Sequence, residues 1–371
     1  DRMAIRSIVV RPAEDLKGYV RYVVKEGDTF FKIAGEYQTT AEAVMRANPG
    51  VNPWNLQVGE VINVPYNLPL VTGDVLYSSA RNESIIEGLT VRYPFLESGS
   101  IGKSVMGKDI PYLKIGNGKK QVFYNASFHA NENITTPVLL KFAEEYANAY
   151  AQGGYLYGAY APQLFGDYTL YLVPMVNPDG VDLVNGFLRE GEYYDRAVEI
   201  AAGYPNIPFP FGWKANIEGI DLNLQYPAGW ENAREIKFAQ GYTTPAPRDY
   251  VGEAPLTAPE SKAVYEFTRA HDFSLILAYH TQGEVIYWKY LDYNPAGSYA
   301  IARYFGEVSG YEVEETPSAS GYAGYKDWFI MTYDRPGYTI EAGRGVSPLP
   351  MSQFDRIYED NKRILLGGMT Q

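Results

Sequence analysis

The chain has 371 residues, of which 46% are hydrophobic and 20% are charged. This ordinary globular balance excludes a wholly disordered protein, and the length favours one large domain with a small one. The net charge of −12 and the lack of a basic run make nucleic acid an unsuitable partner. Cysteine is absent, which excludes disulfides, thiolate zinc sites and a cysteine nucleophile. Imidazole chemistry is left to three histidines, His129, His271 and His280.

Residues 1–20 contain one short apolar run at 8–10, which predicts a short strand in an N-terminal arm. No apolar stretch is long enough for a membrane span, and no signal peptide is visible. Because the chain opens with Asp1, this pattern neither indicates nor excludes secretion.

Residues 21–66 have the pattern of two helices between two short strands. Residues 22–24 and 61–64 are typical of strands, Asp28 or Thr29 suits the N-cap of a first helix, and a second helix begins near Thr40. We therefore predict a small βααβ module over 21–66.

This module resembles the lysin motif (LysM), which binds glycans that contain N-acetylglucosamine. The matching residues are Tyr22, Val23, Val24, Gly27, Asp28, Thr29, Ile33, Ala34, Asn48, Pro49, Leu56, Gly59, Ile62, Asn63, Val64 and Pro65. The resemblance implies a sugar groove between the turn at 27–31 and the loop at 52–58. The glycan-binding residues it implies are Asp28, Thr29, Phe30, Asn52, Trp54 and Leu56. For Trp54, a packing role in a small fold is an equal alternative.

After a Pro- and Gly-containing linker at 67–78, residues 79–371 alternate strand-like and helix-like segments, which predicts an α/β catalytic domain. The predicted strands are 121–129, 168–176, 273–280 and 337–341, and the predicted helices are 136–150 and 258–270. Residues 186–212 are rich in Pro, Gly and Tyr and predict a long surface loop over a site.

Three polar residues follow or end predicted strands of this domain. His129 and Glu132 lie where a strand gives way to a helix, and His280 ends the strand 273–280. Such strand ends are where sites form in open α/β sheets, and two imidazoles with one carboxylate suit a catalytic zinc site. Taken alone, His129 and Glu132 could equally be a strand-end histidine and a first-turn glutamate. His271, at a helix end, is predicted to cap that helix or lie at the surface.

Glu341 ends another predicted strand and would face the same edge of the sheet. A carboxylate there could take a proton from a zinc-activated water and pass it to a leaving amine. An edge glutamate that is satisfied by solvent is the alternative reading of Glu341 alone.

From Arg81 to the C-terminus, the chain resembles the zinc carboxypeptidases. The resemblance is carried by Tyr93-Pro94, 101–104, Asn177-Pro178-Asp179-Gly180, Trp213-Lys214-Ala215-Asn216 and 219–223, with His129, Glu132, His280 and Glu341 in the same order. It implies a mixed sheet flanked by helices and one Zn²⁺ ion bound by His129, Glu132 and His280. It also implies that Glu341 moves the proton, Lys214 stabilises the oxyanion and Asn223 orients the substrate.

The chain departs from the family pattern at the substrate pocket. Lys214 replaces the usual arginine, and Leu224 replaces the arginine of the Asn-Arg pair that clamps a terminal carboxylate. Asn131 stands where an arginine usually follows the first histidine. An ungapped count from Glu341 puts Ala319 in place of the tyrosine that closes over substrate, with Tyr322 nearby.

These departures disfavour a simple C-terminal exopeptidase. Residues 222–228 and 324–328 resemble the branch of γ-D-glutamyl-L-diamino acid endopeptidases, which cleave the γ-D-glutamyl–diaminopimelate bond of peptidoglycan stem peptides. We expect Lys326 or Arg344 to pair with a carboxylate of diaminopimelate, although a solvated surface charge is an equal alternative for each.

The resemblance implies an extracellular or cell-wall location, while a spore or cytoplasmic location stays open. The alternatives in function are a zinc carboxypeptidase or amidase on other peptides and a non-catalytic wall-binding protein. Oligomeric state is not indicated by the sequence.

Overall fold

The structure is a computed structural model, and it describes residues 17–371. The described chain forms two compact units. The first contains the described residues up to Leu70 together with Ala80–Pro94, and the second contains Val71–Ser79 with Phe95–Gln371. The arm predicted over 1–20 lies largely outside the described residues, and so does its apolar run at 8–10. The functional boundaries at 21–66, 67–78 and 79–371 stay a prediction.

The first unit has the predicted βααβ order. Its elements are β1 (Tyr19–Val23), α1 (Phe30–Glu36), α2 (Ala41–Arg46) and β2 (Val61–Pro65), followed by α3 (Ser79–Arg92). The strands β1 and β2 pair antiparallel. Thr29 and Thr40 cap the two short helices, because their side chains accept hydrogen bonds from Lys32 N and Ala43 N.

Asn48 connects α2 with β2 inside this unit. Its Nδ2 donates to the carbonyls of Val44 and Asn63, both at 2.7 Å, and its Oδ1 accepts from Asn63 N at 2.8 Å. The residue is 8% exposed. One buried amide therefore satisfies three main-chain groups that would otherwise lack partners.

The second unit is built on a mixed sheet with helices on both faces. Its strands are β3 (Glu97–Lys103), β4 (Asp109–Ile115), β5 (Lys120–Ala126), β6 (Tyr155–Leu156), β7 (Ala159–Tyr160), β8 (Tyr168–Val173), β9 (Phe273–His280), β10 (Val285–Tyr287), β11 (Glu312–Glu314) and β12 (Gly337–Glu341). Its helices are α4 (Thr135–Ala151), α5 (Ala161–Asp167), α6 (Pro178–Val184), α7 (Glu192–Ala202), α8 (Trp230–Ala239), α9 (Pro259–Arg269), α10 (Ser298–Ser309), α11 (Tyr325–Tyr333) and α12 (Phe354–Thr370). Within residues 17–371, no helix is both long and apolar enough to cross a membrane.

The main sheet has eight strands in the order β11-β10-β12-β9-β5-β8-β4-β3, while β6 and β7 pair with each other. Alternate residues of β5 point to opposite faces. Phe123 packs into a cluster with Trp328 of α11 and Val264 of α9, whereas Tyr124 donates to the carbonyl of Leu365 in α12. The predicted α/β class with a mixed sheet flanked by helices is confirmed.

The parallel register brings three strand ends together. The strands β8, β5, β9 and β12 run parallel to their neighbours in this order, and Glu341 of β12 lies opposite His280 of β9. The end of β5 lies next to β9, with Ala126 opposite Tyr279. Since the carboxyl ends of parallel strands share one edge, residues that follow β5, β9 and β12 are neighbours in space.

The prediction of a long loop over 186–212 was wrong in its centre, because residues 192–202 form α7. Ala197, Ile200 and Ala201 follow helical spacing and are buried against Trp213. The surrounding Pro, Gly and Tyr residues obscured this short apolar stripe.

Replacing Asn48 with alanine should destabilise the first unit by about 1–3 kcal/mol, because the amide and carbonyl of Asn63 lose their buried partners. Hydrogen exchange of β1 and β2 in the intact chain measures this change. The exposed Asn55 supplies a matched control, and Asn55→Ala should change the exchange little. Equal protection in the two variants would contradict the role of Asn48.

Candidate metal centre

The carboxylate of Glu132 lies between the two strand-end histidines. Its Oε1 is 3.1 Å from His129 Nδ1, and its Oε2 is 3.0 Å from His280 Nδ1. The two Nδ1 atoms are 3.3 Å apart. Both Glu132 and His280 are 2% exposed. The structure therefore brings together the three predicted ligands at the carboxyl edge of the sheet, with one donor atom of each within 4.8 Å of the others.

Asp221 orients the ring of His129. Its Oδ1 lies 3.0 Å from His129 Nε2, on the side of the ring that faces away from Glu132. With a metal bound, a proton held on Nε2 by this carboxylate would leave the lone pair of Nδ1 directed towards Glu132 and His280. Asp221 belonged to the 219–223 motif, but sequence reasoning assigned it no role.

The electrostatics of the group reflect a surplus of carboxylates. Burial lowers the pKa of His129, but the negative charges of Glu132 and Asp221 outweigh it and raise the pKa to about 9. Burial keeps the pKa of His280 below its ordinary value despite Glu132. Burial raises the pKa of Glu341 to about 8, and the charge of Glu132 acts in the same direction.

These residues fit a divalent cation by charge and by donor chemistry. Three carboxylates, Glu132, Asp221 and Glu341, act on the two histidines or on one another. Lys214 opposes them, and Arg248 acts on Asp221. Two imidazole nitrogens and one carboxylate at these separations are a donor set that Zn²⁺ prefers. The carboxylates favour positive charge at this point, as the raised pKa of His129 shows, and a bound divalent ion would supply that charge in place of the His129 proton.

Glu341 and Lys214 line one cavity with His129 and His280, and its volume is about 220 Å³. Lys214 Nζ donates to Glu132 Oε1 at 2.8 Å. Burial lowers the pKa of Lys214, but the negative charge of Glu132 outweighs this effect and raises the pKa above its ordinary value. An ammonium has three donors, so the bond to Glu132 leaves two for other acceptors.

Two of the predicted substrate-binding residues, Asn223 and Lys326, also line this cavity. Asn223 Oδ1 accepts from Tyr325 N at 2.9 Å. Lys326 is 4% exposed, so the alternative of a solvated surface charge was wrong for it. Its Nζ lies 2.8 Å from Asp327 Oδ1 and donates to the carbonyl of Lys289 at 2.7 Å, so protein groups already neutralise and bind this ammonium.

The other two predicted substrate residues, Arg344 and Tyr322, are absent from the described lining of the metal-centre cavity. The exposed guanidinium of Arg344 pairs with Glu284, with Nη2 2.6 Å from Oε2. Tyr322 lines a separate cavity of about 270 Å³, together with Lys289 and Tyr290. Neither side chain is brought to the candidate ligands by the fold.

Sequence reasoning missed three charged residues of the cavity, Lys237, Arg248 and Asp249. They come from α8 and from an irregular segment after it, where hydrophobic periodicity carries no signal. Their charges are visible in the sequence, but charge by itself does not distinguish a cavity from a surface.

Among the predicted glycan-binding residues, Trp54 is 94% exposed, which excludes the packing role. Asn52 Oδ1 accepts from Trp54 N at 3.0 Å and shapes the exposed loop. Asp28 Oδ2 accepts from Tyr22 and from Lys25 N, Thr29 caps α1, and Leu56 packs at the edge of the module's core. These three residues therefore have structural roles of their own.

Phe30 cannot present its ring to a sugar as predicted, because it is 3% exposed. It shares the buried face of α1 with Ile33 and Ala34, at helical spacing of three and four residues. The next aromatic residue, Phe31, is 81% exposed.

Comparison with known families agrees with this geometry. Residues 83–363 match the zinc carboxypeptidase (Peptidase_M14) model, and residues 22–65 match the LysM domain model. Bovine thrombin-activatable fibrinolysis inhibitor, in its complex with a tick carboxypeptidase inhibitor, has the same fold with a TM-score of 0.59 and 18% identity. That alignment covers 80% of this chain and 97% of the bovine chain.

Two bacterial relatives are considerably closer in sequence than the bovine protein. Gamma-D-glutamyl-L-diamino acid endopeptidase 1 of Lysinibacillus sphaericus is 46% identical over 300 residues, which is 81% of this chain and 74% of the relative. The uncharacterized protein YqgT of Bacillus subtilis is 42% identical over 78% of this chain and 76% of its own length. The chain thus belongs to the zinc carboxypeptidase family of metallopeptidases, with a LysM domain before the peptidase domain.

Proposed function

We propose that this zinc peptidase hydrolyses the γ-D-glutamyl–diaminopimelate, or other γ-D-glutamyl–diamino acid, bond of peptidoglycan stem peptides. It acts outside the cell or at the cell wall, where the LysM domain binds N-acetylglucosamine-containing glycan. The observation that carries this choice of bond is the 46% identity to an endopeptidase named for that bond, which extends over 81% of the chain.

Leu224 supports an endopeptidase rather than an exopeptidase that clamps a terminal carboxylate. It occupies the place where the sequence resemblance expects the clamping arginine, and it packs with Trp230, Ala233 and Val251 in an apolar cluster. An aliphatic side chain in such a cluster offers a carboxylate neither charge nor a hydrogen-bond donor. A free C-terminal carboxylate therefore lacks its usual receptor at this position.

We assign the metal to His129, Glu132 and His280. When bound there, Zn²⁺ supplies Lewis acidity, which polarises the scissile carbonyl and makes water more acidic. Asp221 fixes the ring of His129, and Thr281 N donates to Glu132 Oε2 at 3.2 Å, so both ligands are oriented by the protein before any metal binds.

Proton transfer is the task of Glu341. Its carboxylate lines the cavity beside the candidate ligands, where it can accept a proton from water and later release it. It takes the proton of the attacking water and delivers it to the nitrogen of the leaving amine. Lys214 donates to the oxyanion that develops on the carbonyl, with a point charge in place of the family's guanidinium fork.

The LysM domain contributes binding and no chemistry. The ring of Trp54 is exposed on a loop, where it can stack on the apolar face of a sugar. Attachment to glycan raises the local concentration of stem peptides even when the individual contact is weak.

Replacing Glu341 with glutamine should lower kcat by about 10²- to 10⁴-fold, because the amide cannot accept the proton. The zinc content should stay unchanged, since Glu341 is outside the proposed ligand set. Glu312→Gln, at an exposed edge strand, is the matched control and should retain full activity. Full activity of Glu341→Gln would contradict the assignment.

The bond itself is tested by mass spectrometry of a defined tetrapeptide, L-alanyl-γ-D-glutamyl-meso-diaminopimelyl-D-alanine. We expect L-alanyl-D-glutamate and diaminopimelyl-D-alanine as the products. Release of D-alanine alone would instead establish a carboxypeptidase. No cleavage by the zinc-loaded enzyme, together with binding to peptidoglycan, would support the non-catalytic alternative.

A further inference from the structure

Four lysine and arginine side chains line the metal-centre cavity, namely Lys214, Lys237, Arg248 and Lys326. Protein groups bind all four of these cations but occupy different shares of their donors. Lys214 donates to Glu132, Lys237 Nζ lies 2.6 Å from Asp249 Oδ1, and Lys326 contacts Asp327 and the carbonyl of Lys289. Arg248 is the cation whose hydrogen-bonding capacity is least used.

Only one nitrogen of the Arg248 guanidinium has a partner within residues 17–371. Its Nε donates to Asp249 Oδ2 at 2.6 Å, whereas neither Nη atom donates to a described protein group. The side chain is 41% exposed. The two Nη atoms can therefore present a planar, charged fork to a ligand, which is the geometry that a carboxylate accepts.

The segment that carries Arg248 is fixed to the catalytic residues by its main chain. The carbonyl of Pro247 accepts from Lys214 N at 2.7 Å and from Ala215 N at 2.9 Å. Asp249 N donates to Asp221 Oδ2 at 3.2 Å, the carboxylate that also orients His129. Arg248 is consequently held beside the segment of Lys214, the residue we assign to the oxyanion.

The neighbouring residue Asp249 also positions the guanidinium of Arg248. Asp249 has a φ of 65°, in the left-handed region, and its two carboxylate oxygens contact Lys237 and Arg248. Because Lys237 remains paired with Asp249 when Arg248 is removed, loss of the arginine leaves no bare carboxylate.

We propose that Arg248 is the carboxylate receptor of the substrate cavity and takes over the task that Leu224 cannot perform. This inference rests on the proposed function, because that substrate carries carboxylates in positions that ordinary peptides lack. A γ-linked D-glutamyl residue has a free α-carboxylate beside the scissile bond, and diaminopimelate has a second carboxylate at the end of its side chain. Either group supplies the planar anion that the fork binds.

The test compares two pairs of soluble tripeptides. The first pair is L-alanyl-γ-D-glutamyl-meso-diaminopimelate and the same peptide with the D-glutamyl α-carboxylate as an amide. The second pair replaces diaminopimelate with lysine, which removes the side-chain carboxylate. KM and kcat are measured for the wild type, Arg248→Met, Arg248→Lys and Arg234→Met, the last of which alters an exposed arginine of α8 outside the cavity.

We expect the wild type to prefer the carboxylate-bearing member of one pair through a lower KM. Arg248→Met should raise that KM by about 10- to 100-fold, because a charged hydrogen-bonded contact is lost, and should abolish the preference. Arg248→Lys should restore part of it, and Arg234→Met should match the wild type. The peptide pair whose KM difference disappears in Arg248→Met identifies the substrate carboxylate that Arg248 binds. Preferences that persist in Arg248→Met, equal losses on all substrates, or no preference in the wild type would overturn the proposal.

Binding of fragments separates this proposal from the proposed function. Calorimetry compares the binding affinity of L-alanyl-γ-D-glutamate with that of its α-amide, and the affinity of meso-diaminopimelate with that of lysine. If no tripeptide is cleaved but a carboxylate fragment binds the wild type and fails to bind Arg248→Met, the proposed function is wrong and the receptor stands. If the tripeptide is cleaved and no fragment or KM depends on Arg248, the receptor is wrong and the proposed function stands. Failure of both cleavage and fragment binding refutes both.

Discussion

The buried carboxylate of Glu132 is the contact on which the site depends. It meets His129 Nδ1, His280 Nδ1, Lys214 Nζ and Thr281 N at distances from 2.8 to 3.2 Å. A carboxylate removed from water is destabilising unless it is paired, so these contacts must form together. They connect the turn after β5, the end of β9 and the segment of Lys214, which are far apart in sequence. The same arrangement that satisfies Glu132 thereby assembles the proposed ligands of Zn²⁺.

The parallel order of β5, β9 and β12 makes this meeting possible. Glu341 lies opposite His280 in the sheet, and His129 follows β5 on the other side of β9. A rigid, buried sheet edge therefore supports the proposed ligands and the proposed proton carrier, while irregular segments supply the rest of the cavity. Variation in those segments can change which substrate group is recognised without altering the metal site. Leu224 and Arg248 exemplify this division.

The proposed metal site could be predicted from the sequence because its residues end, or closely follow, strands with strong hydrophobic patterns. His280 and Glu341 end the predicted strands at the residues where the structure ends them, and with only three histidines present few combinations were possible. Arg248 could not be found, because it lies in an irregular segment whose position depends on tertiary hydrogen bonds. Lys326 showed its charge in the sequence but not its burial. Phe30 and Phe31 are adjacent, and the choice between the core and the surface rests on the phase of a helix only seven residues long.

Zinc content of the three single-histidine variants distinguishes the proposed ligands His129 and His280 from His271, the third histidine of the chain. The purified wild type, His129→Ala, His280→Ala and His271→Ala are compared by atomic absorption after dialysis against a weak chelator, with folding checked by circular dichroism. We expect about one zinc ion per chain in the wild type and in His271→Ala, and almost none in the other two. Full zinc content in folded His129→Ala or His280→Ala, or its loss in folded His271→Ala, would contradict the proposed ligand set.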